Sequence, residues 1–392
     1  VATRRRLRKD FPCVLRCSWP RSAPFSLVSV LSLVVYLCRC VTVKSFSDTM
    51  LGYARGTVME NPSFNVQDAA KRLREAMKGL GTNERVLIDV LCSHSNRQRQ
   101  MIRAQFQGLF GRDLVKDIEK ETSGRFEEVL IALLTPSYEY LAICLQTAFQ
   151  GMGTDDNAVV ELLCSRTPTD IQAIKQAYHS KYGKPLESRV NGELSGTYKK
   201  VILSILAGQR DQSTWVDESR VMQDVSVIVF FFFTICPVTP CFKLFVLVSL
   251  KELVSAGVGK WGTDESVFNM IICNRSYAHL QRISQQYIRQ TGRNLTDDIS
   301  REFSGHAKAA LIAIVQTALD APLFFAQKIH DALKGLGTKD NVVIRVLVTR
   351  SEIDLEDIKQ RYVAMYKCSL VDAIRKDTSG DYEKVLVRLL GA

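Results

Sequence analysis

Four short glycine-containing loops in this chain are each followed, at one constant distance, by a single carboxylate. Three loops read Gly-x-Gly-Thr, at 79–82, 151–154 and 335–338, and an altered fourth copy lies at 260–263. In every copy 38 residues separate the threonine from the acid, and the acids are Glu121, Glu193, Glu302 and Asp377. Glycine tolerates positive φ, so several backbone carbonyls of a short turn can face one point. Carbonyl and carboxylate oxygens together suit a hard cation such as calcium.

The sequence around these loops also repeats, which indicates a duplicated structural unit. Each acid is followed two residues later by Ser-Gly, at 123–124, 195–196, 304–305 and 379–380. The first two loop threonines lie 72 residues apart and the last two lie 75 residues apart, a period long enough for several short helices. Apolar residues recur at helical spacing, as Val86, Leu87, Val90 and Leu91 do. The sequence therefore predicts an all-α protein with four repeats of about five short helices each.

The paired loop and acid resemble those of the annexin family. The segment Met77-Lys-Gly-Leu-Gly-Thr-Asn-Glu84 is similar to the family's loop between its first and second helices. Each acid ahead of Ser-Gly is similar to the partner of that loop, which lies between the fourth and fifth helices. The resemblance covers roughly residues 55–392, apart from one internal stretch, and the head is similar to that of the short-headed members. It implies one compact curved array with a head at 50–64, repeats at 65–136, 137–208, 246–320 and 321–392, and a linker at 209–245.

The resemblance also implies the calcium ligands of each repeat, namely three loop carbonyls and the acid. They are Met77, Gly79, Gly81 and Glu121 in repeat 1; Phe149, Gly151, Gly153 and Glu193 in repeat 2; Gly257, Lys260, Gly262 and Glu302 in repeat 3; and Leu333, Gly335, Gly337 and Asp377 in repeat 4. The implied function is calcium-dependent binding to anionic phospholipid membranes such as those containing phosphatidylserine. The implied protein is cytoplasmic and lies peripherally on membranes. The family pattern also allows a homo-oligomer (a trimer) on the membrane, and an extracellular location without a signal peptide.

An apolar residue precedes the final Gly-Thr of every loop and is a candidate membrane contact. These residues are Leu80, Met152, Trp261 and Leu336. Exposed beside a lipid-bridging ion, such groups could enter the membrane interface, where tryptophan is especially favourable. Lys78 and Lys334 would add attraction to anionic lipid. The alternatives are that each tip packs on its own repeat and that the lysines are only solvated.

Structural alternatives apply to the polar residues of the motif as well. The acids could cap the final helix of each repeat, an effect worth about 1 kcal/mol. This alternative is stronger for Glu193, because Gln150 stands where repeats 1 and 4 carry lysine. Asp377 is one methylene shorter than glutamate, which shortens its reach. We interpret the four loop threonines as N-caps of the second helices.

A 25-residue apolar segment, 226–250, interrupts the chain between repeats 2 and 3. Without it Val225 would join Lys251, and Val221, Val225, Leu253 and Val254 would lie at i, i+4, i+7 and i+8 of one amphipathic helix. We interpret the segment as a retained intron or a mispredicted exon boundary. A membrane span is the alternative, which two prolines and a lysine within so short a run disfavour.

Residues 1–49 contain nine Lys/Arg and two Asp/Glu, so they contribute +7 of the formal net charge of +11. We expect them to be untranslated or mispredicted sequence ahead of Met50, with a signal or anchor segment as the alternative. The remaining charge is ordinary and indicates no nucleic-acid partner. The cysteines outside these two segments have no paired spacing and are predicted to be buried free thiols; they are Cys92, Cys144, Cys164, Cys273 and Cys368.

The sequence lacks the common motifs of catalysis. It contains no Gly-x-x-x-x-Gly-Lys-Ser/Thr phosphate loop, no His-Glu-x-x-His zinc motif and no Asp-x-Asp-x-Asp-Gly calcium loop. We therefore expect a protein that is not an enzyme. The competing function, from a different class, is a calcium-independent helical repeat scaffold that binds other proteins.

Overall fold

Apolar residues at helical spacing and polar residues at helix ends produce an architecture made of short helices. The computed structural model describes residues 55–79, 81–151, 153–235, 265–335 and 337–392. Helices fill most of these ranges, and none of the ranges contains a strand. The prediction of an all-α fold is therefore confirmed.

Repeat 1 shows the order of helices that the other repeats follow. Its five helices are Val66–Ala76, Glu84–Cys92, Asn96–Phe110, Leu114–Glu121 and Gly124–Leu134. The side chains of Asn65, Asn83, Ser95 and Asp113 accept backbone N–H bonds at the starts of the first four helices, which satisfies donors that have no partner within the helix. Short helices with defined ends keep the loops between them short.

The remaining repeats have the same succession of helices. Repeat 2 consists of Ser137–Ala148, Asp156–Cys164, Pro168–Tyr182, Leu186–Glu193 and Gly196–Leu206. The helix Glu218–Ile235 lies within the segment predicted to be a linker, 209–245, and takes the place of the first helix of repeat 3. It is followed by Glu265–Asn274, Tyr277–Thr291, Leu295–Glu302 and the first part of Gly305–Leu333. Repeat 4 consists of the second part of that helix, followed by Asp340–Arg350, Leu355–Tyr366, Leu370–Asp377 and Gly380–Leu389.

The long helix Gly305–Leu333 contains two helices that meet at a kink. Asp320 has φ −160° and ψ 87°, which is not helical, and its carboxylate accepts a 2.9 Å bond from the backbone N–H of Leu323. Asp320 thus ends the last helix of repeat 3 and caps the first helix of repeat 4. Within the described residues this is the one helix whose length and apolar composition would suit a membrane span, and 56% of its most apolar stretch is buried in the protein.

The first helix of repeat 3 includes the start of segment 226–250. Val221 and Val225 are buried, and Ile228 and Val229 follow them on the same buried face. These two residues hold the i+7 and i+8 positions that the sequence analysis assigned to residues 253 and 254, which lie outside the described residues. The segment therefore continues the apolar register of the helix, and its interpretation as a retained intron stays a prediction.

Two phenylalanines of the same segment enlarge this buried face. The Phe231 ring stacks on Phe268, with 5.1 Å between ring centroids, and on Phe303, with 5.9 Å. Phe232 meets the Phe268 ring edge-on at 5.3 Å and the Tyr287 ring edge-on at 6.3 Å. Repeat 3 thus has an aromatic core to which residues 231 and 232 contribute directly.

A buried ion pair joins repeat 2 to repeat 4. The Nε atom of Arg345 donates to the Oε1 atom of Glu161, and its Nη2 atom donates to the Oε2 atom, both at 2.8 Å. Both side chains are buried, at 7% and 5% exposure. Bidentate geometry satisfies both charges, which is what makes an ion pair tolerable in the interior.

The head packs against repeat 4. The guanidinium of Arg55 pairs with the Asp357 carboxylate at 2.8 Å, and the hydroxyl of Thr57 donates to the carbonyl of Leu389 at 2.6 Å. At Gly56 a Cβ would come within 2.7 Å of the Ser351 carbonyl oxygen, so only glycine permits this close approach. The start of repeat 1 is thereby tied to the end of the chain.

The five cysteines in the described part of the chain are free, as predicted, but one of them is exposed. Cys92, Cys164 and Cys273 are buried, Cys144 is half-buried and Cys368 is exposed, so the expectation of burial was wrong for Cys368. Residue 368 directly follows Lys367, which ends a helix with positive φ. Burial raises the pKa of the Cys92 and Cys273 thiols to about 12, which keeps them protonated and unreactive at neutral pH.

Replacing Arg345 by methionine should destabilise the protein by about 3–5 kcal/mol, because Glu161 would keep a buried charge without its partner. The free energy of unfolding in urea, followed by far-UV circular dichroism, measures this loss. The double variant Arg345→Met, Glu161→Met is the matched control and should recover most of the stability, since both charges are removed together. Equal losses in the single and double variants would contradict the assignment.

Replacing Phe231 by alanine should cost about 3–5 kcal/mol of stability, because removal of the ring leaves a cavity beside the rings of Phe268 and Phe303. Phe230→Ala, on the half-buried side of the same helix, should cost clearly less. Thermal unfolding of the two variants provides the comparison. Indistinguishable unfolding curves would show that residues 226–232 do not form part of the core.

Candidate calcium-binding loops

The loop after the first helix is closed at its base by the same backbone hydrogen bond in repeats 1, 2 and 4. In repeat 1 the backbone N–H of Asn83 donates to the Ala76 carbonyl at 2.9 Å, which closes the loop at its base. Asp155 and Lys339 make the matching bonds in repeats 2 and 4, at 2.8 and 2.9 Å.

The glycines of these loops have the conformation that the sequence analysis expected. Gly79 and Gly81 have φ values of 103° and 88°, in the region that side chains with a Cβ avoid. The glycine pairs of repeats 2 and 4 also have positive φ: Gly151, Gly153, Gly335 and Gly337. No atom outside the immediate chain neighbours lies within 4 Å of where a Cβ would stand at any of these six glycines. The loops therefore leave room for a ligand.

Each predicted acid is the last residue of the fourth helix of its repeat. Glu121, Glu193 and Asp377 are exposed, and Glu302 is half-buried. The final helices begin after serines that have no side-chain capping bond, and no hydrogen bond joins the four acids to those helix starts. The capping alternative is therefore not what the structure shows in the described residues.

In repeats 1 and 4 the acid is brought to the loop by the threonine. The Thr82 hydroxyl donates to a carboxylate oxygen of Glu121 at 3.0 Å, and the Thr338 hydroxyl donates to the carboxylate of Asp377. The shorter aspartate thus reaches its loop as the glutamate does. The interpretation of the loop threonines as N-caps was wrong in repeats 1, 2 and 4, because the residue after each threonine occupies the N-cap position; these residues are Asn83, Asp155 and Lys339. Thr263 lies outside the described residues.

Repeat 2 has a different arrangement, in which an arginine lies between the loop and the acid. The Nη2 atom of Arg189 donates to the carbonyl of Phe149 at 2.7 Å. Its Nη1 atom lies 3.2 Å from a carboxylate oxygen of Glu193. Both Phe149 and Glu193 were predicted calcium ligands, and sequence reasoning did not include Arg189. The available signal was its position, four residues before the acid, where repeats 1 and 3 have Asp117 and Asp298.

In repeat 3 only the acid can be placed. Gly257, Lys260, Gly262 and the tip residue Trp261 lie outside the described residues. Glu302 and Glu193 both line an open cleft of ≈ 560 Å³ between repeats 2 and 3, together with His306. The described residues contain no group of three or more His, Cys, Asp and Glu side chains placed to hold a metal ion.

The predicted membrane contacts are only partly described. Leu80, Met152 and Leu336 lie outside the described residues, as Trp261 does, so their exposure stays a prediction. Lys78 and Lys334 are exposed. The ammonium of Lys78 lies 3.6 Å from the Glu75 carboxylate, an exposed pair that contributes little to stability.

Two equivalent contacts between a basic side chain and a carboxylate, both near the loops, were missed in the sequence analysis. Arg125, which follows Ser-Gly in repeat 1, lies 3.1 Å from the Asp340 carboxylate of repeat 4. His306, which follows Ser-Gly in repeat 3, lies 3.2 Å from the Asp156 carboxylate of repeat 2. In both pairs the acid stands two residues after the loop threonine. These contacts join repeat 1 to repeat 4 and repeat 3 to repeat 2 beside the loops.

Known proteins show the same fourfold pattern. A family model described as Annexin matches residues 67–133, 140–205, 251–314 and 324–389. Human annexin A7 is 38% identical over 343 residues, which cover 88% of this chain and 65% of that protein. Human annexin A5 is 40% identical over 337 residues, which cover 86% of this chain and 98% of that protein. The chain thus spans less than two thirds of annexin A7 and nearly all of annexin A5.

A solved structure gives the same result for the fold. The crystal structure of calcium-bound annexin (Sm)1 is similar to this chain with a TM-score of 0.74 and 29% sequence identity, covering 87% of this chain and 94% of that one. That structure of annexin (Sm)1 is a calcium-bound one. The fold that holds the glycine loops and acids here is therefore shared with a protein that has been solved with calcium.

Proposed function

Because the chain belongs to the annexin family, we propose that it binds anionic phospholipid membranes in a calcium-dependent manner. Calcium-dependent phospholipid binding is characteristic of the family, and its members are generally membrane-binding proteins without enzymatic activity. The observation that carries the proposal for this chain is the contact of Thr82 with Glu121, which brings a carboxylate to an open glycine loop.

The residues of repeats 1 and 4 fit a calcium ion by their chemistry. The proposed ligands are the carbonyls of Met77, Gly79 and Gly81 with Glu121 in repeat 1, and those of Leu333, Gly335 and Gly337 with Asp377 in repeat 4. The glycines have positive φ and open space beside them, and the threonine hydroxyls hold the carboxylates near the loops. All of the donors are oxygens, which calcium prefers.

A bound calcium ion would supply positive charge and coordination positions that lipid phosphate oxygens can fill, because one carboxylate does not neutralise it. The chain contributes exposed lysines beside the proposed sites, Lys78 and Lys334, each worth about 1 kcal/mol of attraction to an anionic surface. The tip residues Leu80, Met152, Trp261 and Leu336 are proposed to enter the interface. We propose that the protein binds the cytoplasmic face of membranes that contain phosphatidylserine or similar anionic lipids, and that it assembles there as a trimer.

The calcium-independent scaffold remains the competing function, and a vesicle assay separates it from the proposal. The full chain is sedimented with phosphatidylserine vesicles in the presence of calcium, and again after addition of a chelator. Binding that disappears with the chelator supports the proposal. Equal binding in both conditions would favour the scaffold.

The double variant Glu121→Gln, Asp377→Asn should raise the calcium concentration for half-maximal vesicle binding by about tenfold or more, since each tenfold corresponds to about 1.4 kcal/mol of lost affinity. Neutral amides keep the shape of the acids but not their charge. Vesicle co-sedimentation over a calcium series measures the shift. Circular dichroism should show unchanged helicity, and an unchanged calcium requirement with intact helices would count against these ligands.

Thr82→Val should raise the calcium requirement by about tenfold, because the hydroxyl only positions Glu121. This is the low end of the roughly 10–100-fold loss in metal affinity that is typical when a residue that orients a metal ligand is replaced. Thr154→Val is the matched control, since no hydrogen bond joins Thr154 to Glu193 in the described structure. The control should bind vesicles as the natural chain does. Equal shifts in both variants would contradict a positioning role for Thr82.

A further inference from the structure

The glycine loop of repeat 2 is contacted by an arginine from the fourth helix of the same repeat. The Arg189 guanidinium lies between the Phe149 carbonyl, 2.7 Å from Nη2, and the Glu193 carboxylate, 3.2 Å from Nη1. These are the oxygen at one end of the proposed ligand set and the acid at the other. An arginine side chain stays protonated under all physiological conditions. The contacts that calcium would make to these two oxygens are therefore made by a fixed cation.

The position of Arg189 in its helix explains why this occurs in repeat 2. It lies in the helix Leu186–Glu193, one turn before the acid, so both side chains emerge on the same face. The residue at this position is Asp117 in repeat 1, Asp298 in repeat 3 and Ala373 in repeat 4. Asp117 and Asp298 pair with arginines of their own repeats, Arg112 and Arg301, at 2.6 and 2.7 Å.

Arg189 is held in this place by packing as well as by charge. Its side chain is 37% exposed, but its Nε atom is buried and has no hydrogen-bond partner. A buried donor without a partner costs free energy. The contacts of the guanidinium with Phe149 and Glu193 must therefore stabilise this side-chain position by more than that cost. A side chain that was only solvated would leave Nε in water.

Calcium and this guanidinium cannot share the site. Two positive charges within a few ångströms repel each other strongly, and more so near the protein surface than in bulk water. The fan of N–H donors on arginine also uses lone pairs that a metal ion needs. Binding of calcium would require Arg189 to leave both Phe149 and Glu193.

We propose that Arg189 is a resident cation that replaces calcium in repeat 2, so that this loop is closed without metal and the acid there takes no part in calcium-dependent binding. The proposal rests on the proposed function, since it assumes that the loops of repeats 1 and 4 bind calcium. It assigns Arg189 as the residue that keeps calcium out of the loop of repeat 2.

The test is the number of calcium ions bound per full chain, measured by isothermal titration calorimetry with calcium chloride. Arg189→Ala should bind one more ion than the natural chain, because its loop carbonyls and Glu193 become free. Glu193→Gln alone should leave the number unchanged. The double variant Arg189→Ala, Glu193→Gln should lose the additional ion again.

Lys181→Ala is the matched control. Lys181 lies in the same repeat, is also 37% exposed and forms an ion pair with Glu139 at 2.7 Å, but it does not contact a loop. The substitution Lys181→Ala removes one positive charge and one ion pair but leaves the contacts of Arg189 with Phe149 and Glu193 in place. The control should bind the same number of ions as the natural chain, and an additional ion in this variant too would overturn the proposal.

The outcomes distinguish this proposal from the proposed function. Arg189→Ala with native helicity and no additional ion would overturn it, and so would a lower ion number in Glu193→Gln. If Arg189→Ala fails to fold, Glu193→Gln decides alone, since it leaves the guanidinium in place. Failure of the proposed function appears elsewhere, as an unchanged calcium requirement for vesicle binding in Glu121→Gln, Asp377→Asn.

Discussion

The meeting of a glycine loop with an acid far along the chain is the constraint on which the other features of each repeat depend. Thr82 and Glu121 are 39 residues apart in sequence, yet their side chains form a hydrogen bond. A loop of backbone carbonyls has no net charge, and one exposed carboxylate attracts calcium only weakly in water. Only their combination gives a hard cation several oxygens. The intervening helices of each repeat place the end of the fourth helix beside that loop.

Two kinds of contact between basic and acidic side chains join the repeats to one another. Arg125 with Asp340 and His306 with Asp156 lie beside the loops and are partly exposed, so each contributes modestly to stability. The Glu161–Arg345 pair is buried between repeats 2 and 4. Its role is different, because a buried charge without its partner is strongly destabilising. The positions of the loops thus depend on contacts between repeats as well as within them.

Similar motifs in repeats 1, 2 and 4 do not produce similar sites. Repeats 1 and 4 connect threonine to the acid, whereas repeat 2 connects arginine to the acid and to the first loop carbonyl. Glycine spacing alone could not reveal this, because Arg189 lies in a helix and reaches the loop only after folding. The helical start of segment 226–250 is a second case. Its apolar residues match a helix register by composition, but only packing against Phe268 shows that Phe231 belongs to the core.

The sequence by itself determined the repeat number, the all-α class, the loops and their paired acids, because these depend on local spacing and on identical motifs at a fixed distance. It did not determine which residues cap the second helices, that Cys368 is exposed, or what contacts each acid. Those outcomes depend on side chains from different helices competing for the same polar groups. Only the tertiary structure brings Thr82 to Glu121 and Arg189 to Phe149, since hydrogen bonding requires a proximity that sequence order does not specify.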